Sequence, residues 1–236
     1  MITIMPTAMD TITRKPRRSE AGLSGPFPSF DYVRDPAEIY RRSFATVRAE
    51  ANLDRLPTDV AGVVQRLIHA CGMTDIVDDL RWSNGAAEAG RVALEEGAPV
   101  FVDAEMVAAG IIRDRLSANN TVICSLNDDA VPERARQTAN TRSAAAVDLW
   151  DARLQGAVVA IGNAPTALFR LLERIIEGAP KPALVLGFPV GFIGAAESKE
   201  ALSSGAVDVP YVTLLGRRGG SAMAAAAVNA LAGDPS

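Results

Sequence analysis

Histidine is nearly absent from this chain: His69 is the sole example in 236 residues. Cysteine is almost as scarce, with Cys71 and Cys124 well separated. A structural zinc site takes about four Cys or His ligands and a catalytic one about three protein ligands, so zinc built from these residue types is nearly ruled out. Ser-His-Asp or Cys-His catalysis has one imidazole to draw on. Two cysteines with no C-x-x-C spacing make no disulfide framework, which suits a reducing compartment and a cytoplasmic protein. Lysine is also rare, at 3 against 21 arginines. Guanidinium forks match carboxylates and phosphates, although a composition that also holds 41 alanines and 19 glycines accounts for the skew equally well. A formal charge of −4 argues against nonspecific nucleic-acid binding. No apolar stretch reaches the roughly 18 residues of a membrane span.

What the chain does have is 48% apolar residues and ample length for a buried core. Residues 1–30 stand apart, with Arg14, Lys15, Arg17 and Arg18 followed by a Gly/Ser/Pro stretch and no apolar periodicity. They read as a disordered N-terminal extension, and residues 31–236 as one domain. The basic cluster is not followed by the apolar run of a signal peptide. Asp35-Pro36-Ala37-Glu38 is a helix start, with a capping carboxylate and proline at the first helical position. Tyr40, Phe44 and Val47 follow at helical spacing. A second helix from Thr58 carries Val60, Val63, Val64, Leu67, Ile68 and Cys71 on one face.

From Pro99 the pattern changes to short β-branched runs, each followed by a helical segment: 100–102, 122–124, 157–161, 183–186 and 211–215. Continuous apolar runs of this kind suit strands buried on both faces. The expected fold is α/β, a doubly wound, mainly parallel five-stranded sheet with helices on both faces. Ligands bind outside the carboxyl ends of such strands. Those ends hold Asp103-Ala104-Glu105, Gly162-Asn163-Ala164 and Gly216-Arg217-Arg218-Gly219-Gly220-Ser221, with neither GxGxxG nor GxxxxGK[ST] among them.

His69 faces away from the apolar stripe of its helix, beside Gly62 and Arg66. Gly72 is placed to end that helix, so His69 sits in its last turn, where the dipole favours an imidazolium. A proton donor and an exposed helix-end histidine without a task both fit. Thr141-Arg142-Ser143 opens a further helix, and both it and the Gly-Arg-Arg-Gly-Gly turn read either as anion sites or as ordinary surface turns.

Taken in order, Tyr40-Arg41-Arg42-Ser43-Phe44, Arg66-Leu67-Ile68-His69-Ala70-Cys71-Gly72-Met73, Asp103-Ala104-Glu105-Met106-Val107, Thr141-Arg142-Ser143-Ala144-Ala145 and Ile161-Gly162-Asn163-Ala164-Pro165-Thr166 resemble the successive signatures of the precorrin-8X methylmutase (precorrin isomerase) family. Pro189-Val190-Gly191-Phe192, Glu197-Ser198-Lys199-Glu200 and Gly216 to Ser221 continue the series. The resemblance spans about Asp31 to Ala232. At Arg81-Trp82-Ser83-Asn84-Gly85 the chain departs from the family's Ser/His-Pro-Gly turn, which puts the local loop shape in doubt.

The resemblance implies a flavodoxin-like isomerase of cobalamin biosynthesis. Such an enzyme moves a methyl group from ring carbon 11 to carbon 12 of precorrin-8X, giving hydrogenobyrinate, with no metal or other cofactor. It implies a homodimer whose substrate cleft draws on both subunits, with no nucleic-acid or membrane partner. The family's active-site histidine maps onto His69. By the same resemblance Arg142 and Ser43 are expected to contact substrate carboxylates or the cleft rim, with Arg42, Asn163, Arg217 and Arg218 as further candidates. The precorrin substrate is either metal-free or in its cobalt form. A non-catalytic tetrapyrrole carrier, or a phosphate-binding module on the Gly-Arg-Arg-Gly-Gly turn, is the competing reading.

Overall fold

The computed structural model describes residues 30–150 and 152–233. The expected disordered extension therefore lies, except for Phe30, outside the described residues. Six strands form one sheet: β1 (Leu80–Trp82), β2 (Val100–Val102), β3 (Val122–Cys124), β4 (Val158–Ile161), β5 (Leu184–Gly187) and β6 (Tyr211–Leu214). Their order across the sheet is β1-β6-β5-β4-β2-β3. The five expected strands are all present and mutually parallel; β1 is the addition, pairing antiparallel to β6 with Arg81 opposite Thr213. It is three residues long, with buried Leu80, exposed Arg81 and partly covered Trp82. The segment that departs from the family pattern thus begins as an edge strand, and Gly85 then takes the left-handed φ of 71° before the next helix.

The parallel strands wind in the flavodoxin-like order, with the topological switch between β2 and β4. Side chains alternate across the pleat. Val100, Val102, Val158, Ala160, Leu184 and Leu186 enter one core, while Phe101, Val159, Ile161 and Val185 enter the other. Nine helices are described. The first face carries α1 (Pro36–Glu50), α2 (Thr58–Cys71), α3 (Ala86–Glu95), α4 (Glu105–Gly110) and α9 (Ser221–Leu231). The second carries α5 (Val131–Gln137), α6 (Arg142–Val147), α7 (Pro165–Ile176) and α8 (Ala195–Ser203). No helix among the described residues is long and apolar enough to cross a membrane.

The local signals act as read. The Asp35 carboxylate caps α1 by accepting the Ala37 N–H at 2.9 Å. In α2, Val60, Val63, Val64, Leu67 and Ile68 are buried. Full burial of such a side chain contributes about 1.5–3 kcal/mol, so this seam outweighs the cost of Gly62 within the helix. The helix ends at Gly72, which takes φ 69° while its N–H bonds the Ile68 carbonyl at 2.7 Å. The start of α9 passes close to the end of β4: a Cβ on Gly162 would lie 2.8 Å from Ser221 Cα and from Ala224 Cβ. Glycine there lets the β6–α9 loop reach the sheet's carboxyl edge.

Candidate active site

His69 is half-buried rather than exposed. Helix α1 crosses the back of α2, and its i, i+3, i+4 positions bring Tyr40, Ser43 and Phe44 onto the imidazole. The Ser43 Oγ lies 2.7 Å from His69 Nδ1. The Tyr40 ring is tilted 36° at 5.0 Å, and the Phe44 ring meets the imidazole edge-on at 5.2 Å. Arg66 in turn covers Phe44, its guanidinium 5.6 Å from the ring centre. With Nδ1 hydrogen-bonded to the hydroxyl, the imidazole is held in one orientation, and Nε2 is the other ring nitrogen. A hollow of about 260 Å³ opens beside it, lined by Ser43, Thr46, Val47, Glu50, Ile68, His69, Gly72 and Thr74.

The segment after the helix also walls a second hollow of about 260 Å³, formed by Met73, Val190, Gly191, Phe192, Arg217, Arg218 and Gly219. Its floor is the β6–α9 loop packed on the β5–α8 loop. Gly219 makes that approach feasible, since a Cβ there would come within 2.6 Å of the Pro189 carbonyl oxygen. Arg217 stacks over the Phe192 ring at 5.4 Å, and Phe192 is 85% exposed. Arg218 points elsewhere: Nη1 bonds Asp75 at 2.6 Å and Nη2 bonds Asp79 at 2.7 Å. These two carboxylates raise its affinity for the proton still further. Its head is paired within the protein, while the residue remains part of the wall of this hollow.

At the switch point the buried Asp103 closes the space between β2 and β4. Its carboxylate accepts the backbone N–H groups of Gly162 at 2.8 Å, Asn163 at 3.0 Å and Ala164 at 2.7 Å. Burial pushes its pKa up, and the three N–H donors oppose that. Asn163 thereby has its main chain anchored at the sheet's carboxyl edge. Arg142 opens α6, where the Thr141 hydroxyl caps the helix. Its Nη2 donates to the Leu126 carbonyl at 3.1 Å and Asn127 Oδ1 at 3.2 Å. It stands in the helix layer opposite the one that carries His69. Arg42 is exposed and bonds Glu38 at 2.5 Å. The structure therefore brings Ser43 to His69 and places Arg217 at the neighbouring hollow, while Arg42 and Arg218 are paired internally and Arg142 stands apart within one chain.

Sequence reasoning missed the work of Asp103, Tyr40 and Phe44. An acid directly at a strand's end, before a strand-to-helix turn, was a usable signal for the first. The aromatic pair was visible as a helical stripe, but nothing local shows that the stripe covers an imidazole.

The precorrin-8X methylmutase family pattern matches residues 38–233. A precorrin-8X methylmutase from Pseudomonas aeruginosa is 63% identical over 202 residues, covering 86% of this chain and 97% of that protein. One from a Sinorhizobium species is 54% identical over 205 residues, covering 87% and 98%. The crystal structure of a precorrin-8X methylmutase from Thermus thermophilus superposes with a TM-score of 0.76 at 42% identity, covering 83% of this chain and 94% of that one. With its pattern matched from α1 to the end of α9 and the same fold around it, the chain belongs to the precorrin-8X methylmutase family, isomerases of cobalamin biosynthesis.

Proposed function

We propose that this isomerase acts on metal-free precorrin-8X, moving the methyl group from ring carbon 11 to ring carbon 12 with His69 as proton donor. The Ser43–His69 hydrogen bond carries the reading, because it fixes the one imidazole in the chain beside a hollow. The two most similar relatives described above are both named for precorrin-8X without cobalt, which supports the metal-free substrate. In the shift, the bond from methyl to carbon 11 breaks as the bond to carbon 12 forms. No atom enters or leaves, and no net oxidation occurs. What the protein supplies is a held geometry and a proton or hydrogen bond that redistributes charge over the ring. General-acid assistance of this kind is worth about 10²–10⁴ in rate.

The acetate and propionate groups of such a macrocycle call for guanidinium partners around an apolar floor. Arg217 beside exposed Phe192 has that character. Ser43 acts here as the support of His69 in addition to any rim contact. Arg142 lies across the sheet from His69, so its part in one site is through a second copy of the chain: a homodimer with the cleft between subunits. Asn163 contributes from the switch-point edge. Cys71 and Cys124 are free thiols, in keeping with the cytoplasm, and residues 31–236 act as one domain.

The test is conversion of purified precorrin-8X followed by absorption, with mass spectrometry confirming an isomer. Parent protein is expected to convert it and His69→Ala to be slower by at least about 10². Equal rates would remove His69 from the chemistry, and binding by the parent without conversion would make the protein a tetrapyrrole carrier.

A further inference from the structure

Lysine is the scarcest charged residue in the chain, yet Lys199 in α8 has no exposed surface. A buried ammonium costs several kcal/mol before compensation, so its contact should matter to the fold or the site. Its Nζ donates to the Arg218 main-chain carbonyl at 2.6 Å. Burial pushes its pKa down to about 8, with Arg218 nearby adding to the effect and Asp79 opposing it. The carbonyl belongs to a loop bounded by two glycines of positive φ, Gly216 at 77° and Gly220 at 125°, whose course is set by the contacts it makes.

Each remaining tie on that loop is also on a defined partner. The Gly191 N–H donates to the Arg217 carbonyl at 3.2 Å, and the Gly220 N–H donates to the Phe188 carbonyl at 2.8 Å. The Arg218 head reaches Asp75 and Asp79, in the segment just beyond His69 and Gly72. Both arginines line the hollow beside Met73 and Phe192, but Arg218 is anchored at its carbonyl and its guanidinium, whereas the adjacent Arg217 guanidinium lies over the exposed Phe192 ring.

We propose that Lys199 is a positioning residue that, together with the Arg218–Asp75/Asp79 clamp, holds the β6–α9 loop so that Arg217 meets a carboxylate of the substrate. This rests on the reading of the Arg217 hollow as part of the substrate cleft. Lys199 touches no substrate itself. Arg218 becomes a strut between that loop and the histidine-bearing segment.

The experiment compares kcat and KM for precorrin-8X in Lys199→Met, Arg217→Ala, Leu202→Ala and the double variant Asp75→Asn/Asp79→Asn. Lys199→Met removes the donor while keeping length and apolar volume. Its KM is expected to rise about tenfold, the scale of a charge-assisted hydrogen bond, with kcat within about twofold because His69 is untouched. The double variant alters two solvent-facing carboxylates and is expected to raise KM in the same way. Leu202 is buried on the same helix, so Leu202→Ala lowers stability and is expected to leave KM at the parental value. A parental KM in Lys199→Met, or an equal rise in Leu202→Ala, overturns the proposal. If Lys199→Met does not fold, the double variant decides, and a parental KM there overturns it. A parental KM in Arg217→Ala removes the underlying site reading and the proposal with it, whereas a raised KM there beside an unchanged Lys199→Met sinks the proposal alone.

Discussion

The Ser43 hydroxyl and the His69 Nδ1 nitrogen, 2.7 Å apart, join two helices at the one imidazole of the chain. If the hydroxyl orients the ring, Ser43→Ala should lower kcat about tenfold, well short of the effect of His69→Ala. KM should stay near its parental value. In untagged protein every imidazole nitrogen signal comes from His69, so ¹⁵N NMR reads the outcome directly: loss of the hydroxyl should change the ratio of the two imidazole tautomers. An unchanged tautomer ratio together with an unchanged kcat would remove Ser43 from any role in positioning.

Arg142 and His69 lie in helix layers on opposite faces of the sheet. A cleft shared between two copies therefore predicts complementation. His69→Ala and Arg142→Ala proteins, each nearly inactive alone, should regain activity when unfolded and refolded together. Random pairing leaves one intact site in each mixed dimer, or about a quarter of parental activity. No recovery in a mixture shown to contain mixed dimers would mean that the two residues do not meet across the dimer.

Gly219 lies where the β5–α8 and β6–α9 loops touch, and a Cβ would sit 2.6 Å from the Pro189 carbonyl oxygen. Backbone atoms cannot step aside as a flexible side chain does. Gly219→Ala should lower the free energy of unfolding by about 1–3 kcal/mol, the usual range for overpacking. Urea denaturation measures it; a shift near zero would show that the loops separate easily.

Asp103 satisfies three main-chain N–H groups with one carboxylate. In Asp103→Asn the amide NH₂ replaces one acceptor and confronts an N–H donor. A loss of about 1–3 kcal/mol should follow, the penalty for a buried donor without a partner. Asp103→Glu should also be destabilised, since the added methylene displaces a buried carboxylate from three N–H donors at 2.7–3.0 Å. Parental stability of the Asn variant would mean that the turn relaxes to new partners.

Lys199 supplies a pH dependence. Its pKa in the folded protein is about 8, below the 10.5 of an ordinary lysine. Between these values the unfolded chain binds more protons than the folded one, so stability rises with pH over that window. Below about pH 8 both forms are protonated and the burial penalty is fully present. The stability of the parent relative to Lys199→Met should therefore climb from pH 8 toward 10.5 in chemical denaturation. A flat difference would show that the ammonium is not held in a poorly solvated place. The charged groups that face it are Arg218 and Asp79.

Much of the frame was legible along the chain. The α2 stripe, the Gly72 stop, the Asp35 cap and the five parallel strands rest on local causes: apolar period, left-handed glycine, a short acceptor side chain and β-branched runs. β1 was not legible. Three residues with arginine in the middle carry no strand signal, and Leu80–Trp82 becomes a strand only because β6 offers it an edge to pair with.

The candidate site divides in the same way. His69 was identifiable because it is the sole imidazole and sits in a motif, yet its surroundings were not, since Tyr40, Ser43 and Phe44 reach it from another helix. The arginines are the clearest case. Arg42, Arg217 and Arg218 look alike in sequence, but two pair with carboxylates inside the protein and one lies over an exposed aromatic ring. By itself the sequence determined the family, the parallel core and the identity of the imidazole, because periodicity and contiguous motifs are properties of neighbouring residues. Which guanidinium meets a carboxylate, and what orients His69, was decided by tertiary structure, because hydrogen bonds and ion pairs act over a few ångströms between groups that only the folded loops bring together.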